Sequence, residues 1–242
     1  MKARNLRRFV GAGASAAVLG AMTAAAATAA AGDLARHAAA YEHMAPLEQY
    51  LMDQSAEIAL ARSAAPAAIS AKATILVLKP QGYETAVTGS NGFTCVVERS
   101  WMAPFDSAEF WNPKMRAPIC YNPAASRSIL TYSLERTRLA LVARSRDEIL
   151  AEVRAAFARS ELPQPEPGAM SFMMSKDGYL GDDQGHWHSH LMFHVPKAAA
   201  ATWGANLQGS PVVLDDRPTP EPQTIFLVPV AHWSDGTEAP AL

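Results

Sequence analysis

No basic stripe runs through this 242-residue sequence. Clustered lysine and arginine are the electrostatic footprint of nucleic-acid binding, so the composition argues against DNA, RNA or anionic lipid as partners. The chain also lacks H-E-x-x-H, zinc-finger C-x-x-C, the P-loop, G-x-G-x-x-G and G-x-S-x-G, which leaves no ready-made catalytic or nucleotide motif. Asp177, Asp182 and Asp183 do not have EF-hand spacing. No repeat of fixed period and no coiled-coil heptad is present. The one long apolar run, near the N-terminus, is mostly Ala, Gly and Ser. A spanning helix needs about 20 strongly apolar residues, so stable membrane insertion is not expected.

What that N-terminus does have is the layout of a secretory signal peptide. Lys2, Arg4, Arg7 and Arg8 precede the apolar run, which ends in small residues suited to cleavage near Ala29 to Ala31. The expected organisation is a signal peptide over 1–30, a linker over 31–43 and a single domain over 44–242. A membrane anchor is the weaker alternative, and Arg7-Arg8 only partly fits a twin-arginine signal. The whole chain has 21 basic and 23 acidic residues; four of the basic ones fall in the first 30, leaving 17 against 23, formally −6. This balance suits a soluble periplasmic or secreted domain. About 210 residues can bury a sizeable core without staples.

Cys95 and Cys120 are the only cysteines. In an oxidising compartment the expectation for such a pair is a disulfide stabilising by ~3 kcal/mol. Two buried thiols or a thiolate metal ligand are the alternatives.

Helical spacing runs from Pro46 to about Ala64 and stops at Pro66. The apolar run at 75–78 predicts a strand buried on both faces. Segments 83–88 and 93–99, separated by Gly-Ser-Asn-Gly, predict a hairpin. Residues 101–125 are irregular and aromatic, either a functional loop or a cover over the core. Helical spacing resumes over 126–142. Ser145-Arg-Asp-Glu148 then reads as a capping box, opening a helix whose apolar stripe belongs to the core. Strands are expected at 169–174, 186–196 and 224–230, with a helical turn and long loop between 197 and 222. The order predicts an α+β fold: an antiparallel sheet of about five to six strands with helices packed on one side.

GHWHSHLMFHV, residues 185–195, holds four of the seven histidines. Strand alternation puts His186, His188, His190, Met192 and His194 on one face, and Trp187, Ser189, Leu191, Phe193 and Val195 on an apolar core face. Residues i and i+2 lie ~6.7 Å apart along a strand. Two neighbouring imidazoles can therefore meet at one ion, whereas three in a straight row cannot. The metal reading takes His188 with His186 or His190, a bend allowing all three, plus a ligand from elsewhere, with His43 and His232 among the candidates. Neutral imidazoles suit zinc or copper, and Met192 would favour copper. Glu98 and Asp183 are the candidate general bases for metal-activated water.

The phrases GYETAV, NGFTCVVERSWM, FWNPK and GHWHSHLMF resemble those of uncharacterised exported bacterial proteins over most of the mature chain. The resemblance brings no activity with it. Two functions stand on the residues themselves. One is an exported protein with a histidine-lined zinc or copper site, extending to metal-dependent hydrolysis. The other is a non-catalytic domain that binds a small ligand or partner through a pH-sensitive histidine cleft, with the aromatic loop as lid.

Overall fold

The computed structural model describes residues 41–182, 185–196, 202–205, 207–215 and 223–240, the strand residues 213–215 and 223–225 by their backbone. The expected signal peptide, residues 31–40 of the expected linker, and Asp183 lie outside them. From Tyr41 onward the chain belongs to one compact unit. Within the stretch expected as linker, Tyr41 packs against the core and its hydroxyl donates to Asp182 at 2.5 Å.

Among the described residues five α-helices and eight strands follow in the order α1 (Gln54–Arg62), α2 (Ala67–Ser70), β1 (Thr74–Lys79), β2 (Gly82–Val87), β3 (Thr94–Glu98), β4 (Ala117–Tyr121), α3 (Pro123–Arg127), α4 (Ile129–Leu141), α5 (Arg146–Ala158), β5 (Met170–Met173), β6 (His190–Pro196), β7 (Val213–Asp215) and β8 (Gln223–Pro229). All eight strands form one sheet, ordered β2-β1-β3-β4-β5-β6-β8-β7 and antiparallel except for a short parallel β1–β3 contact. The fold is α+β, as expected, with a wider sheet than five or six strands. The additions are β7 and β4, the latter formed inside the stretch 101–125 expected to be irregular.

The helices divide between the two faces rather than packing on one side as expected, and strand alternation explains how. Ile75, Cys95, Val97 and Cys120 share the face that clusters with Ala61 and Ala64 of the α1 segment. Leu76, Val96, Ile119 and Tyr121, one residue out of phase, cluster with Ala125, Ile129 and Leu130 of α3 and α4. Large apolar side chains in these layers, such as Ile75, Val96 and Ile119, are essentially fully buried. Each contributes about 1.5–3 kcal/mol. The helix α5 stacks Ile149, Val153 and Ala156 on Leu139 and Ala140 of α4. It starts at the capping box, with Ser145 accepting from the Glu148 N–H and Glu148 accepting from the Ser145 N–H.

Local chemistry breaks the first expected helix. Leu47–Gln49 is a 3-10 turn, and the α-helix begins only after Asp53, whose carboxylate accepts from the N–H groups of Ser55 and Ala56. The expected hairpin between 83–88 and 93–99 does not form. Pro80 and Gln81 instead close a hairpin between β1 and β2, with Gly82 at φ 135°. Chain 88–93 then crosses the start of β1 so that β3 lies on its other side. Gly89 is required there, since a Cβ would stand 2.2 Å from the Thr74 nitrogen.

Cys95 and Cys120 are register partners on β3 and β4 and form a disulfide. Both are fully buried, so the pair is also a core element. No helix among the described residues is long and apolar enough to cross a membrane.

Candidate functional site

The histidine segment enters the sheet later than its alternation predicts. β6 starts at His190, and residues 186–189 precede it as an irregular lead-in with a bend at His186. Two side chains pin this lead-in. The Trp187 ring is buried, and its indole N–H donates to the Ser175 carbonyl at 2.9 Å; Ser189 is buried and donates to the His232 carbonyl at 2.7 Å. Gly178 accommodates the indole, because a Cβ there would fall 2.6 Å from the ring. With Trp187 and Ser189 inward, His186 and His188 face outward, and both are exposed.

Inside the strand the expected faces do not hold. Met192 packs against the α3–α4 side of the core, and His194 is buried, its Nε2 3.1 Å from the Ser171 hydroxyl and its ring 6.5 Å from that of Tyr121. Leu191, Phe193 and Val195, expected as the core face, are only partly covered. The reason is the strand's position: β6 is flanked by β5 and β8, and α3 and α4 cover the face on which the even-numbered residues lie.

The histidines expected as ligands therefore stand in different settings. The His186 Nδ1 is 2.6 Å from the Gly178 carbonyl oxygen, and the His190 Nδ1 is 2.6 Å from the His188 carbonyl oxygen. A carbonyl oxygen can only accept, so in each ring Nδ1 carries a hydrogen, and it is in the neutral form of the ring that Nε2 holds the lone pair. The His186 ring meets Tyr179 edge-on, and the His190 ring meets Trp187 edge-on. His190 is half-buried, and that burial lowers its affinity for a proton. His188 is the most open of the three in chemical terms, without a ring hydrogen bond to any described residue. Among the described residues no group of three His, Cys, Asp or Glu side chains is gathered for a metal ion.

Glu98 does not join the histidines. It lies buried beneath α4, where the Tyr121 hydroxyl and the Ser133 hydroxyl, the latter at 2.7 Å, both hydrogen-bond to its Oε1. Desolvation by burial raises its pKa against the opposing pull of those two hydrogen bonds. Asp183, the other candidate base, falls outside the described residues. Cys95 and Cys120, being disulfide-bonded, offer no thiolate to a metal.

The aromatic loop is a cover and not a lid. Trp101, Phe110 and Trp111 are core residues, and the Phe105 ring lies 4.1 Å from the Arg136 guanidinium carbon. Arg136 also donates to the Tyr132 hydroxyl and the Ala103 carbonyl, so loop and α4 are joined through a buried cation.

A polar hub missed by sequence reasoning sits where this loop meets the histidine lead-in. The Asp182 carboxylate accepts from Tyr41, from Tyr179 and from the Lys114 ammonium at 3.0 Å. Those hydrogen bonds, Tyr179's first and Tyr41's next, hold Asp182 well below the usual carboxylate range; Tyr179 is pushed up to about 12. Directly below, the Asp182 N–H donates to Glu109, whose other oxygen accepts from Asn112. Lys114 and Asn112 belong to FWNPK, the signal that could have linked this loop to the residues around 182. No protein-family model matches the chain, and no curated protein or solved structure does either.

Proposed function

We propose that this chain is an exported, non-catalytic domain that binds zinc or copper(II) at the histidine rim formed by His186, His188 and His190. One observation carries the reading. The His186 and His190 rings are each fixed by a backbone carbonyl at Nδ1, which turns Nε2 into the free ligand atom. Metal-bound histidines have this arrangement, the second nitrogen donating to a carbonyl or carboxylate that sets ring orientation and tautomer. Neutral imidazole nitrogen is the ligand type that zinc and copper(II) favour.

Export is supported by the leader-like N-terminal sequence and by the disulfide, a bond that persists in oxidising compartments. Hydrolysis is less well supported than binding. Glu98, the expected base, has its Oε1 occupied by two hydroxyls in the core, away from the rim. The aromatic lid required by a small-ligand cleft is committed to core packing.

Elemental analysis and calorimetry on the untagged protein test the proposal. Zinc or copper uptake that is lost on His188→Ala, with the melting temperature unchanged in the metal-free protein, is the expected result. Absence of uptake under loading conditions, or uptake indifferent to all three histidines, would refute it.

A further inference from the structure

Resting on that reading, we propose that Tyr179, held by the Asp182 carboxylate, is the positioning residue for the His186 ring of the metal site. The hydrogen bond from Nδ1 to the Gly178 carbonyl at 2.6 Å fixes one corner of the imidazole. The plane of the ring is set by a second contact. Tyr179 supplies it, meeting His186 edge-on at 83° with the ring centroids 6.5 Å apart, a separation at which aromatic rings attract one another. Gly178 and Tyr179 are adjacent in the chain, so one dipeptide delivers both restraints.

Tyr179 is itself held at both ends. Its backbone N–H and carbonyl exchange hydrogen bonds with Arg116, each at 2.8 Å, and its hydroxyl donates to Asp182. Asp182 is fixed in turn. Its carboxylate accepts from the Lys114 ammonium and the Tyr41 hydroxyl, and its N–H donates to Glu109 at 3.1 Å. Gly181 permits that approach, since a Cβ there would stand 2.7 Å from the Glu109 carboxyl carbon. The Gly185 N–H then donates to the Gly181 carbonyl at 2.8 Å, which brings the chain back to His186 one residue later. A continuous path thus runs from Lys114 and Tyr41 through the carboxylate and the tyrosine to the imidazole. Removing a contact that orients a metal-binding histidine typically weakens metal binding roughly 10–100-fold. The His190 ring rests on Trp187 and the His188 carbonyl, off this path, and serves as the internal control.

Nitrogen–proton NMR of the metal-free protein at pH 8, joined to calorimetric titration with zinc chloride, reads the coupling. Tyr179→Phe keeps the aromatic ring and removes only the hydroxyl that Asp182 holds, so a change at His186 reports movement of the rings. Tyr179→Phe and Asp182→Ala should each shift the His186 ring-nitrogen signals, leave those of His190 in place and weaken zinc binding about 10-fold. In the double variant the two losses should not add, because both variants remove the same hydrogen bond. A lower melting temperature with the His186 signals and zinc affinity unchanged would make the hub a structural tie alone and overturn the proposal. Losses that sum in full would overturn it too, by separating Tyr179 from Asp182. Absence of zinc uptake by the parent would refute the rim as a metal site; the metal-free His186 signals then decide by themselves whether Tyr179 positions the ring.

Discussion

Two polar regions of this molecule use similar residues to opposite ends. Beneath α4, Glu98, Tyr121 and Ser133 satisfy one another in the core. At the rim, His186 and His190 spend one ring nitrogen on the backbone and keep the other. The first cluster contains the residue types of an acid–base site, but those contacts are internal and its carboxyl is sealed from solvent. The second has the weaker hydrogen-bond network. A reactive residue type becomes structural when burial and neighbours consume its valences, and remains available when they do not.

The contrast is sharpest where charge is buried. Arg99 is fully buried and donates to the Tyr50 and Val97 carbonyls and to Glu57 at 2.8 Å. Replacing Arg99 by Ala leaves the Glu57 carboxylate without its cation. A loss of about 3–5 kcal/mol is expected in urea denaturation. A loss below about 1 kcal/mol would show that this buried Arg99–Glu57 site is not held by its ion pair. Next in size is the disulfide, which spans 25 residues. Its replacement by a Cys95→Ala/Cys120→Ala pair should cost about 3–4 kcal/mol from the loop-closure term, seen as a lower denaturation midpoint.

Glu98 tests the seal itself. Its raised pKa means that folding favours the protonated carboxyl. The stability it gives is therefore full below the unfolded value near 4.3 and is lost as pH rises through the folded value. Glu98→Gln, an uncharged mimic of the protonated acid, should gain on the parent as pH rises above the unfolded value, the gain levelling off once the raised folded value is passed. A parent-minus-variant difference independent of pH would mean that Glu98 is not buried as described. The smallest effect belongs to the rim: His188→Ala should alter metal-free stability by no more than about 0.5 kcal/mol, measured by thermal melting.

Much of this contrast is legible in the amino-acid sequence, and the part that is not has a physical cause. The Ser145 capping box, the β1 run and the compartment logic for Cys95 and Cys120 depend on local or pairwise rules, and the structure contains all three features. Alternation at 185–195 identifies the outward pair His186 and His188 and the inward Trp187. It fails for Met192 and His194, because which face a helix covers is decided by distant residues of α3 and α4. The misplaced hairpin has a similar origin. Gly-Ser-Asn-Gly has turn chemistry, but Pro80, Gln81 and Gly82 close a competing hairpin first along the chain. Glu98 looks available because a sequence does not show that Tyr121 and Ser133 meet its carboxyl.

The rim's fixed tautomer carries the functional account, and it can be observed without any metal. Long-range nitrogen–proton NMR of the metal-free protein at pH 8 distinguishes the protonated from the lone-pair nitrogen in each imidazole. The account predicts the Nδ1–H form for His186 and His190, with their Nε2 signals moving on addition of zinc. Nε2–H forms at these two residues, unmoved by zinc, would contradict it.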